Sequence, residues 1–354
     1  MKKLFSLAII FLLAACCESL EISPTWSNKF NEEITVLGLS DNFLGVCFED
    51  KFSLLNERGI LLWNYTSEDK IHGISVSGNR IAVVSTYNVH LLRSDGALEW
   101  KKELDSWVDY SKAISISTDR IVLGLMNGQI HFFDMNGNET FGRKLDAYIL
   151  AVEQFEGNII VVSDKGIYLL DEKGNTRLEH KPKNYIRAAA IYGPWVVLAL
   201  GNNALEIYKV NEGLEWNYQI SDKIGAISLS DKYVAVGTKD GSVYFFDSLG
   251  NLKWEKQFKS SIKQVAILKD SVIVSRIDNE ILIMNDVGTV EWDYKTNEKI
   301  SFFDNTENYF VLGTSEGSIN FFQLMRNPES GLFILVTMIG VVLLFAILFY
   351  RAVR

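Results

Sequence analysis

Cysteine, proline and histidine are scarce in this chain, and basic charge is outnumbered. Its 354 residues include three cysteines, four prolines and four histidines. Cys16 and Cys17 lie within or beside the N-terminal apolar stretch, which leaves Cys47 alone in an apolar run. An internal disulfide framework is therefore excluded, and Cys47 reads as a small buried apolar residue. So few prolines exclude long proline-rich linkers. His72, His90, His131 and His180 fall in separate parts of the chain without paired metal-ligand spacing. A net charge of −9 argues against nucleic acid as a partner, because phosphate binding needs a basic surface. Between residues 21 and 325 nothing offers a convincing amphipathic helix, and no G-x-S-x-G elbow or phosphate-cradling loop stands out.

Long apolar runs occur only at the two ends. Residues 1–17, "MKKLFSLAIIFLLAACC", have two lysines, a short apolar core and then small residues, the layout of a secretory signal peptide. The stretch "LAAC" ending at Cys16 is similar to the lipobox of bacterial lipoproteins, so the segment ends either in lipidation of Cys16 or in ordinary cleavage nearby. Residues 331–350, "GLFILVTMIGVVLLFAILFY", carry no charge and are long enough for one membrane-spanning helix. Arg351 and Arg354 follow, placing the short tail 351–354 in the cytoplasm. The expectation is a signal peptide over 1–16, a linker over 326–330 and a single C-terminal span. Everything between should lie outside the cytoplasm at a cell membrane.

The intervening chain repeats itself. Trp26, Trp63 and Trp100 are spaced 37 apart, and Trp216, Trp254 and Trp292 are spaced 38 apart. Phe141 and Leu178 fill the two matching places between these groups, giving eight positions with one interval stretched to 41. A fixed period of this length signals a repeat architecture. Each unit holds four short runs rich in Val, Ile, Phe and Tyr, such as "GAISLS", "KYVAVGT", "SVYFFD" and "LKWEKQF". Tight turns such as "KDG", "MNG" and "SEG" join the second and third runs, and "DSLGN" or "DMNGN" join the third and fourth. The expected fold is all-β, an eight-bladed β-propeller of four-stranded antiparallel blades over 21–325. The last repeat lacks its fourth strand and "SPTWSNKF" (23–30) has no repeat before it, so the N-terminal strand should close the ring.

"VYFFDSLGNLKWEKQF" (243–258), "HLLRSDGALEWKKEL" (90–104) and "LIMNDVGTVEWDYKT" (282–296) resemble the repeat of pyrroloquinoline-quinone-type, or quinoprotein-like, propellers. The resemblance implies that Trp26, Trp63, Trp100, Phe141, Leu178, Trp216, Trp254 and Trp292 lock neighbouring blades together. A secreted, membrane-attached propeller also resembles the lipoprotein subunit of the bacterial outer-membrane barrel-assembly machine, which has no C-terminal span. Quinoprotein dehydrogenases add a calcium site, a catalytic aspartate and an adjacent cysteine pair beside the cofactor. None of these can be placed on this chain, so neither cofactor nor metal is expected. The WD-type alternative is disfavoured by missing Gly-His and Trp-Asp pairs.

The candidate interaction site lies where the repeat is broken. Extra residues in "LDSWVDYSK" (104–112) bring Asp105, Trp107, Asp109 and Tyr110 into a connection between blades. Loops on a rigid scaffold are where binding residues gather, and exposed Trp and Tyr make favoured anchors. Equivalent loops carry Tyr148 and Tyr185. Trp107 can equally fold back over the blade edge as local packing. "DMNGNE" (134–139) has the wrong glycine position for a calcium loop and reads as a hairpin turn. Asn64 and Asn138 stand in N-x-T triplets and are glycosylation acceptors where a host supplies the machinery. The expected function is a non-enzymatic, membrane-anchored scaffold for a protein or glycan. The alternative is a quinone-dependent dehydrogenase with diverged ligands.

Overall fold

In the repeat with the clearest turn signals, the strands run Ile224–Leu229, Tyr233–Thr238, Ser242–Asp247 and Leu252–Gln257. They pair in sequence order as one antiparallel sheet, with Val236 opposite Tyr244 and Phe245 opposite Trp254. We call the strands A to D from the channel outward. Strands B and C are almost continuously buried, whereas D alternates exposed and half-buried residues. That is the pattern expected when both faces of the middle strands pack against neighbouring blades and the outermost strand meets water. Gly241, with φ 97°, and Gly250, with φ 87°, make the two tight turns of this blade. At the equivalent B–C turns, Asn203 and Asn279 take the left-handed conformation instead.

The computed structural model describes residues 22–40, 42–108, 112–306 and 309–323. Its 32 strands form eight four-stranded sheets. Blades 1 to 7 cover 36–66, 71–103, 114–144, 149–180, 186–219, 224–257 and 262–295. Blade 8 joins three strands over 300–323 to Pro24–Lys29, which pairs antiparallel with Ser318–Gln323. The expected eight-bladed architecture and its closure by the N-terminal strand are therefore both present. Cys16, Asp109, Tyr110 and the expected signal peptide and 331–350 span lie outside the described residues. Among the described residues no helix is long and apolar enough to cross a membrane.

Eight seams hold the ring together, and their chemistry repeats. At five of them a D-strand indole donates to a main-chain oxygen of the next blade. Trp26 bonds Glu57 (2.9 Å), Trp63 bonds Ser94 (2.8 Å) and Trp100 bonds Met135 (3.0 Å). Trp216 bonds Ser248 (3.1 Å), and Trp292 bonds Ile22 just before the closing strand (2.9 Å). The ring of Trp100 lies against Gly137, where a Cβ would fall 2.8 Å from it, so this turn requires glycine twice, for space and for φ 78°. At the blade 3–4 seam Phe141 covers Gly174, and Arg143 supplies the missing donor to the Gly174 oxygen at 3.0 Å. At the blade 6–7 seam the Trp254 ring stacks on Phe245 and covers Gly288, while Lys256 donates to the Gly288 oxygen at 3.3 Å.

Leu178 departs from the expected pattern. It is 39% exposed, and the bond across the blade 4–5 seam comes from His180, whose Nε2 lies 3.1 Å from the Val210 oxygen. The physical reason lies in the side chain. Leucine has no donor for the carbonyl of the next turn, and the imidazole two residues on reaches it while packing on Tyr208.

Candidate functional site: the loop face and channel mouth

Antiparallel order puts the D–A and B–C loops on one face and the A–B and C–D turns on the other. On the first face, in seven of the eight blades, the chain leaving the D strand bonds to its own blade's B–C turn, as Leu145 N does to Gly128 O (2.9 Å) and Phe258 N to Gly241 O (2.9 Å). This rigid rim carries the proposed anchors.

The loop at 104–108 is pinned on both sides. Val108 N donates to Thr86 O (3.4 Å) in blade 2, and Met126 N donates to Trp107 O (3.1 Å) in blade 3. Leu104 and Val108 sink into the core beside Ala113 and Leu125. These two residues do the packing, and the Trp107 side chain is left 51% exposed. The Asp105 carboxylate turns back to blade 3, accepting from Gln129 Nε2 at 2.5 Å and lying 3.6 Å from His131 Nε2.

Tyr148 and Tyr185 occupy equivalent places on blades 4 and 5, each just ahead of a buried A-strand isoleucine. Their backbones are fixed. Tyr148 N donates to Asp164 Oδ1 (2.8 Å), and Tyr185 O accepts from Gly201 N (3.0 Å). Their rings are 56% and 62% exposed. The Tyr185 ring lies so close over Gly201 that a Cβ there would fall 2.2 Å from it. The structure thus brings Trp107, Tyr148 and Tyr185 to one face on consecutive blades.

The glycosylation candidates are placed differently. Asn64 is exposed on an outer D strand, where its oxygen accepts from Ser53 Oγ at 2.7 Å. Asn138 closes the "DMNGN" turn, donating from its backbone and its side chain to Asp134. Asp171 with Asn175 and Asp247 with Asn251 repeat this arrangement, so the aspartate oxygens are occupied by turn donors. These bonds hold the Asp134 carboxyl below its ordinary range, with the Asn138 side chain contributing most. No cluster of three potential metal ligands occurs among the described residues.

Inside the rim lies a feature that reading the tryptophans alone does not reveal. Lys112, just ahead of the inner strand of blade 3, and Arg187 and Lys263, on the inner strands of blades 5 and 7, all line a channel cavity of about 310 Å³. Lys70, Lys263 and Lys299 line an adjoining cavity of about 420 Å³ that also meets Glu33. Desolvation by the channel wall pushes Lys112 below its ordinary value, with Asp304 opposing, although the residue keeps solvent access. Lys263 is likewise pushed down by burial and then by Lys299, with Glu33 opposing.

These features define an eight-bladed β-propeller with a rigid aromatic rim and a basic channel mouth. A family model, "Family of unknown function (DUF5711)", matches residues 195–322, which cover blades 6 and 7 and parts of blades 5 and 8. No curated protein matches the sequence. Among solved structures, BamB from Moraxella catarrhalis is 16% identical with a TM-score of 0.72, covering 86% of this chain and 100% of that one. The computationally designed Ika8 protein is 16% identical with a TM-score of 0.73, covering 84% and 98%. Sqt1 from Saccharomyces cerevisiae is 13% identical with a TM-score of 0.71, covering 87% and 99%. At these identities the likeness is one of fold.

Proposed function

We propose that this protein is a non-enzymatic scaffold that binds a protein partner through the loop face carrying Trp107, Tyr148 and Tyr185. The carrying observation is that these rings are exposed together while the repeat tryptophans are used at seams. Fixed backbones lower the entropy lost when such rings dock. The fold likeness to BamB and Sqt1 supports a propeller scaffold.

The reading includes attachment to a cell membrane through 331–350, with the propeller outside the cytoplasm. Its support is the uncharged run followed by arginines. Pairing of Pro24 with Phe322 puts both ends of the described chain on the face of the C–D turns, opposite the aromatic rim. A tether at residue 331 therefore suits a rim presented away from the bilayer.

The test is affinity capture from detergent-solubilised membranes, comparing wild type with the triple variant Trp107→Ala/Tyr148→Ala/Tyr185→Ala. Loss of specific partners at an unchanged melting temperature supports the proposal. Identical partner sets, or captured material that is glycan alone, overturn it.

A further inference from the structure

The basic channel mouth is a second site, independent of the aromatic rim. Lys112, Arg187 and Lys263 come from alternate blades, so they approach one cavity from three directions around the axis. None of the three has a carboxylate within ion-pair distance among the described residues, whereas outer-surface cations such as Lys51 and Lys253 do. Asp304 is the acid felt by Lys112, but it already accepts from the Leu39 and Asn305 amides. Glu33, the acid felt by Lys263, accepts from Ser301 Oγ at 3.2 Å.

Lys263 Nζ already donates to the Ile300 carbonyl, whereas two other polar atoms at this cavity are unspent among the described residues. Arg187 Nη2 donates to Gly201 O at 3.3 Å, but its Nη1 is buried with no acceptor. Gln264 Oε1 is buried with no donor. Buried polar atoms are ordinarily paired, and an unpaired charged donor is the more costly kind. Between the polar groups the lining is apolar, formed by Leu150, Ala188, Ala189, Ile227 and Val265. Positive groups at the edge of an apolar cavity select a ligand with anionic ends and a hydrocarbon body. The volume lies within the range of small-molecule sites.

We infer that the channel binds a small organic dianion, its carboxylate or phosphate groups held by Lys112, Arg187 and Lys263 and its apolar body on Leu150, Ile227 and Val265. The anion would supply acceptors to the free Arg187 nitrogen and relieve the repulsion among like charges.

The probe is octanedioate, titrated by calorimetry into the full-length chain in detergent at low ionic strength. The neutral diamide and 1,8-diaminooctane, run with protein-free micelles as blanks, report on shape and on charge. The expected result is saturable binding of the dianion alone, weakened about tenfold by Arg187→Gln or by Lys263→Met. Lys173→Gln, on the opposite face, should bind as wild type, and melting curves identify any variant that fails to fold. If one pocket variant misfolds, the other carries the test. Binding of octanedioate no tighter than the diamide, or unchanged in the folded pocket variants, overturns the inference.

Discussion

His180 spans the seam between blades 4 and 5 by placing its Nε2 3.1 Å from the carbonyl of Val210, where five of the other seams use an indole donor. Imidazole offers the same kind of donor on a smaller ring, so less apolar area is buried at this junction. His180→Ala should cost about 1 kcal/mol in chemical denaturation, against about 3–5 for Trp216→Ala at the next seam. Hydrogen exchange should show Thr176–His180 and residues 209–213 losing protection first. Equal losses in the two variants would contradict this ranking.

Trp254 and Gly288 form a matched pair. Removing the ring by Trp254→Ala should destabilise by about 3–5 kcal/mol without changing any ligand affinity. Gly288→Ala attacks the same contact from the other side, since a Cβ would fall 3.0 Å from the indole and φ is 83°. Its cost should be on the order of 1–3 kcal/mol, read from the denaturation midpoint.

His90 predicts a weakness toward acid. It is buried, contacts Tyr65 through Nδ1 at 2.9 Å, and its pKa is lowered to about 4 by burial first and Lys101 second. The unfolded chain takes up the proton near pH 6.5 and the folded chain near 4, so stability drains as pH falls through that window. The loss should reach about 3 kcal/mol in wild type. His90→Gln should flatten the melting profile between pH 6.5 and 4, and an unchanged slope would remove His90 as the cause.

Glu153 acts in the opposite direction. Crowding by neighbouring atoms pushes its carboxyl up to about 7 although the residue keeps solvent access, so the folded state holds a proton that the unfolded chain has already released and solvent screens part of the effect on stability. Its contribution is fully present below about pH 4.5 and is lost as pH rises through 7. Glu153→Gln should raise the melting temperature at pH 8 relative to wild type and leave the difference small at pH 4. A variant that gains nothing at pH 8 would rule this out.

The sequence made the ring legible because the seams depend on one large residue per repeat, and six tryptophans show the period plainly. Closure was legible too, since a missing last strand and a spare first strand are complementary. The handover from Leu178 to His180 was not, because aligning repeats on bulk hides a donor two residues away. The channel cations escaped for a related reason. Arg187 and Lys263 each follow an A-strand isoleucine, two periods apart, and stand out only when first strands rather than tryptophan strands are superposed. Trp107 was visible as an aromatic outside the period, but its exposure depended on whether Leu104 and Val108 or the indole filled the core.

Blade 8 has a mechanical consequence. Pro24 lies opposite Phe322 and Lys29 opposite Ser318, so both chain ends leave the same end of one strand pair. A force applied between them loads the outermost hydrogen bond first and opens the pair like a zipper, one bond at a time. Strands pulled from opposite ends would instead share the load in shear. The closing strand that completes the ring is therefore also its tear line, and peeling Pro24–Lys29 away withdraws Trp26 from Glu57 in the same motion.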